Sequence, residues 1–110
     1  MLKPDELLTR ALPLYAVSDG YKMRTMMDAV RDAMYQHNEG REDYRAWQCV
    51  LKSLDIASRS DGKFGGFSAW EREDGRTVAE CRKVMRKAVA VATRLEHERW
   101  KRELERDCYC

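Results

Sequence analysis

From Val78 to the last residue the chain contains neither glycine nor proline. The stretch is preceded by Thr77-x-x-Glu80, the spacing at which a hydroxyl and a carboxylate cap the free N–H groups at a helix start. Together these predict one helix over residues 78–107. At 1.5 Å per residue, about 30 helical residues reach roughly 45 Å. A compact chain of 110 residues with a radius of gyration near 13 Å is only about 34 Å across. A helix longer than the body that carries it either projects from that body or lies against another chain, and the rest of the fold has to be arranged around it.

The two halves of this helix read differently. In the first, Cys81, Val84, Met85, Ala88, Val91, Ala92 and Leu95 recur at three- and four-residue spacings and form a broad face for packing. Arg82, Lys83, Arg86 and Lys87 lie opposite, and with Arg76 just ahead of the helix they make a cationic face. That face reads either as solvated outer surface or as a dock for phosphates or an acidic protein. In the second half Trp100 and Leu104 are the only large apolar residues, and Glu98 with Arg102 and Lys101 with Glu105 are spaced for surface pairing. Trp100 and Leu104, four residues apart, suit a partner's groove or a symmetric copy of the same helix. A homodimer is their simplest use.

Upstream, Pro4 followed by Asp5 and Glu6 suits a first helical turn, and Leu7, Leu8 and Leu12 place a short helix over 4–12 before Pro13 interrupts it. Ser18 or Asp19 is the expected cap of a second helix, 20–37, with Met23, Met26, Met27, Val30, Ala33 and Met34 on one face. Asn38-Glu39-Gly40 permits a reversal. A third helix follows over 41–58, its stripe formed by Tyr44, Trp47, Val50, Leu51 and Leu54, with Arg45, Gln48, Lys52 and Asp55 off it. Helices two and three are expected to form an antiparallel hairpin. The fold class is therefore all-α, a single domain of about four helices.

The longest break in helical pattern, residues 60–76, holds four of the six glycines together with Phe64, Phe67 and Trp70. Glycines allow close backbone approach and aromatics are enriched at binding hot spots, which suits a docking loop. The same rings could instead plug the open end of the bundle, where burial is worth roughly 2 to 3 kcal/mol each. Ser68-x-x-Glu71 could cap one helical turn inside this segment.

Chemistry-bearing patterns are sparse. Cys49, Cys81, Cys108 and Cys110 are not spaced as a disulfide framework, and with His37 and His97 they offer no familiar zinc spacing, so no metal or cofactor is expected. Gly62-Lys63-Phe64-Gly65-Gly66 lacks the strand and the Gly-Lys-Ser/Thr spacing of a phosphate loop. No nucleophile motif is present. A ligand pocket among Tyr21, Tyr44 and Trp47 is the weakest of the readings. The 21 basic and 19 acidic residues leave a net charge of +2, so no whole-molecule field draws the protein to nucleic acid or a membrane. No apolar run approaches the roughly 20 residues of a membrane span, and a cytoplasmic protein with reduced thiols is expected. These readings converge on a non-enzymatic protein-interaction module, a small regulator, inhibitor or assembly accessory of bacterial or phage type. Phe64, Phe67, Trp70, Trp100 and Leu104 are its contact residues. The alternative is a nucleic-acid-associated protein using Arg76, Arg82, Lys83, Arg86 and Lys87.

Overall fold

The computed structural model describes residues 3–18, 23–37, 44–59 and 65–107, with residue 37 and residues 100–107 described in their backbone only. Among the described residues five α-helices follow one another: α1 Pro4–Ala11, α2 Met26–His37, α3 Tyr44–Ala57, α4 Phe67–Glu71 and α5 Val78–Asp107. The architecture is the small all-α bundle that the periodicity predicts. Its dimensions, 53 × 33 × 19 Å, follow the long helix.

α1 occupies the middle. Its Leu7, Leu8 and Ala11 have no exposed surface, and the helix packs against α2 on one side and against α3 and α5 on the other. α3 and α5 are the closest pair, joined by Val50, Leu51, Leu54 and Ala57 from one and Cys81, Val84, Met85, Ala88 and Ala92 from the other, all in one core cluster. α2 adds Met26, Ala29, Val30, Ala33 and Met34 to that cluster. It meets α3 through Arg31, whose guanidinium stands 5.9 Å from the Trp47 ring. Pro13 does not break the chain away from α1, because Leu12–Leu14 continues as one turn of 3-10 helix in which the missing N–H is not needed.

The second helix begins six residues later than the expected start at 20. Ahead of it the chain doubles back: Ala16 N–H donates to Arg24 O (3.0 Å), Arg24 N–H donates to Val17 O (3.1 Å), and Ser18 pairs with Met23 in an isolated antiparallel bridge. The Arg24 guanidinium locks this turn by donating to Val17 O at 3.2 Å and pairing with Asp32 on α2. The helix cap is therefore Thr25, not Ser18 or Asp19. Its hydroxyl accepts Asp28 N–H and the Asp28 carboxylate accepts Thr25 N–H, each at 3.2 Å, a reciprocal capping box. Met23 falls outside the helix and is 57% exposed, so the methionine face is shorter than its spacing suggests.

α3 is rotated relative to the stripe read from its sequence. Tyr44 is 68% exposed and Trp47 half-buried, while Asp55, expected on the polar side, is buried. The reason is tertiary. Asp55 Oδ2 accepts Gly65 N–H at 2.8 Å and Oδ1 accepts Phe67 N–H at 3.0 Å, so one carboxylate from α3 fills the capping role at the start of α4. Gly65 sits at φ +81°, a conformation open to glycine without strain, which turns both donors toward Asp55. The same relay continues at the far end of α4, where the Glu71 carboxylate accepts the first N–H of α2, Met26, at 3.1 and 3.4 Å.

Removing the Asp55 carboxylate leaves two N–H groups without acceptors and a void beside Phe67. Asp55→Ala is expected to cost about 2 to 4 kcal/mol and Asp55→Asn, which keeps one acceptor oxygen, less than half of that. Urea titration followed by circular dichroism measures both. No loss for Asp55→Asn beside a full loss for Asp55→Ala would show that packing, not capping, sets the value, because Asn keeps the shape of the side chain.

Candidate interaction surface

The sequence-predicted contact residues separate into three groups. Phe67 has no exposed surface and is the largest fully buried side chain. As a docking residue it is corrected: its ring plugs the bundle, because the Asp55 cap fixes the backbone on either side of it so that the side chain points into the core. Trp70 is half-buried against that core, and its outer face is covered by Arg76, whose guanidinium lies 3.9 Å from the ring centroid. Phe64, Cys108 and Cys110 lie outside the described residues, as does Tyr21, and so do the side chains of Trp100, Leu104 and His37.

Arg76 leaves the cationic group for the same reason. Its Nε donates to Trp70 O at 3.1 Å, and its two terminal nitrogens pair with Glu80 at 2.9 Å and Glu73 at 2.6 Å. Glu80 in turn accepts from the Thr77 hydroxyl at 3.2 Å while its own N–H donates to that hydroxyl at 3.1 Å, so the predicted box at the start of α5 forms with Arg76 clamped onto it. This partnership holds the Glu80 carboxyl below its usual range. Arg82, Lys83, Arg86 and Lys87 are all exposed on the outer side of α5, as the wheel predicts.

Along the same helix the buried positions stop early. Among the residues whose side chains are described, Ala92 is the last buried one, Leu95, Glu96 and Arg99 are half-covered, and the helix runs on to Asp107. Where α5 leaves the core it faces the first two turns of α3 across an open groove of about 550 Å³ lined by Arg45, Gln48, Cys49, Lys52, Leu95, Glu98 and Arg99. Sequence reasoning missed this groove, since neither α3 nor α5 shows by itself where their axes separate. Tyr44, exposed at the end of α3, does not wall an enclosed pocket with Trp47.

One buried polar cluster has the residue types of a reactive site. The Tyr15 hydroxyl sits beside Cys81 and Glu71, inside the junction of the 3-10 turn, α4 and α5. Burial raises all three pKa values, and for Tyr15 the adjacent Cys81 adds to the effect. A nucleophilic cysteine needs the reverse, a thiol pulled toward the thiolate by a cation or a helix N-terminus. Cys49 in the groove is likewise shifted up by burial. Among the described residues no three His, Cys, Asp or Glu side chains converge on a metal position, and no helix is long and apolar enough to cross a membrane. Comparison with protein-family models, curated proteins and solved structures finds no match, so the site is read from its own geometry.

The Glu71 cap gives a pH dependence whose sign is fixed. Burial lifts its pKa above the ordinary value of 4.5, so the folded state holds that proton more tightly than the unfolded state does. Its contribution to stability is complete below that value and declines as pH rises through the raised one. Glu71→Gln keeps an oxygen for Met26 N–H and cannot ionise, so it is expected to gain on the parent protein across that window in denaturant titrations at successive pH. A variant that instead loses ground as pH rises would show that the ionised carboxylate is the better cap.

Proposed function

We propose that this chain is a non-enzymatic protein-interaction module, a regulator, inhibitor or assembly accessory acting in the cytoplasm, and that it engages its partner along the terminal half of α5. The observation that supports this most strongly is that the helix outlasts the core. Between Ala92 and Asp107 lie 15 further residues, about 22 Å of helix at 1.5 Å each, with no buried position among those whose side chains are described. The groove beside Leu95 extends that surface onto α3. The partner is a protein of complementary helical surface, a second copy being the simplest, and Trp100 and Leu104 are the anchors.

The fate of the aromatic segment sharpens this reading. With Phe67 in the core and Trp70 beneath Arg76, the loop no longer competes as the main docking element. Recognition is therefore assigned to α5 and the groove beside it. Free, reduced Cys49 and Cys81 are in keeping with a cytoplasmic setting.

The double variant Trp100→Glu, Leu104→Glu tests the proposal. Under this proposal both side chains serve the partner and not the core, so the folding free energy is expected to stay within about 1 kcal/mol of the parent. Cross-linking in the native host and sedimentation of the purified protein are expected to show the loss of the principal partner, whether another protein or a second copy. A folded variant that retains every partner of the parent, and the parent's mass in solution, contradicts it.

A further inference from the structure

The first half of α5 carries a second surface that the protein-binding reading does not use. Between Glu80 and Glu96 the helix has no acidic residue, and Arg82, Lys83, Arg86 and Lys87 crowd into two turns. All four are exposed and none forms an ion pair among the described residues. Of the three acids just ahead of the patch, Glu73 and Glu80 are already bound by Arg76, which leaves Asp74 in the turn before the helix. The net charge of +2 thus conceals a local excess on one helical face.

The arrangement of that face is specific. At about 100° per residue, Arg82 and Arg86 lie on one side of the centre line of this face and Lys83 and Lys87 on the other, and each pair is separated by about 6 Å of helical rise. Ala79 and Ala90, both exposed, fall on the same face before and after the four cations. The large exposed apolar residues of the described chain are Val17, Met23, Tyr35, Tyr44 and Ile56, none of them on α5. A protein partner draws most of its binding energy from buried Trp, Tyr and Arg anchors, and this face has two arginines but no aromatic residue beside them. It offers charge in two rows, which matches a partner that binds through charge and has two lines of it.

We infer that α5 is also a nucleic-acid-binding helix, which lies along the major groove of duplex DNA while Arg82 with Arg86 and Lys83 with Lys87 reach the phosphates of opposite strands. A helix about 10 to 12 Å in diameter fits a major groove about 12 Å wide. With all four cations on phosphates, none reads a base edge, so binding is independent of sequence.

Fluorescence anisotropy of a labelled DNA duplex titrated with the full chain tests this. Four phosphate contacts predict a slope near −3.6 for log K against log salt, hence a loss of roughly 150-fold between about 50 and 200 mM salt. Arg82→Gln with Arg86→Gln, and separately Lys83→Gln with Lys87→Gln, are each expected to bring the slope to about −1.8 with unchanged helical content by circular dichroism. Duplex RNA of the same sequence is expected to bind more weakly, because its major groove is too deep and narrow for a helix. The inference is overturned by an absence of DNA binding at low salt, by a slope that neither pair of substitutions changes, or by RNA or polyglutamate of equal charge binding as tightly as DNA. Polyglutamate binding of that strength would point to an acidic protein as the occupant.

Discussion

A single buried carboxylate organises the irregular half of this fold. Asp55 projects from α3 and accepts two backbone N–H groups of the segment that begins α4. A helix of five residues has too little intrinsic stability to form alone. Held by Asp55 it presents Phe67 to the core and Glu71 to the N-terminus of α2. Each acidic group thus satisfies donors on a different helix, and the order α3, α4, α2 is built from contacts whose geometry is directional, whereas the surrounding apolar packing is not.

This relay decides where the molecule can meet others. It draws Phe67 inward and places Trp70 where Arg76 can cover it, and Arg76 in turn is tied to the capping residues of α5. Aromatic and cationic groups that look available in sequence are thereby consumed in closing the bundle. The outer face of the first half of α5 is left, rich in cations, and residues 93–99 that follow it include no buried side chain. Two surfaces of different chemistry on one rigid helix would let the protein hold two partners at a fixed spacing.

Much of this was legible from local pattern. The helix over 78–107 was readable because glycine and proline are absent and Thr77 and Glu80 announce its start, and the inward and outward faces of its first half followed from periodicity alone. The start of α2 is not where the pattern puts it because Ser18, Asp19 and Thr25 are equally good caps in isolation, and the choice is made by Arg24 closing back onto Val17, with Ser18 bridged to Met23. Thr25-x-x-Asp28 is the signal that marks the true start. The direction of Phe67 and the burial of Asp55 could not be read locally. Both depend on a contact across 12 residues in which an apparently solvent-facing acid finds backbone donors. The same holds for the α3–α5 groove, which exists only where two helices diverge.

The central physical claim, that Asp55 supports α2 through α4, is tested most directly by native-state hydrogen exchange of single amides in Asp55→Asn. The account predicts that protection falls first at Gly65 and Phe67, which donate to Asp55, and also at Met26, which Asp55 does not touch but whose acceptor Glu71 rides on α4. Loss of protection at Gly65 and Phe67 with Met26 unchanged would contradict it, showing that α2 is held by apolar packing alone.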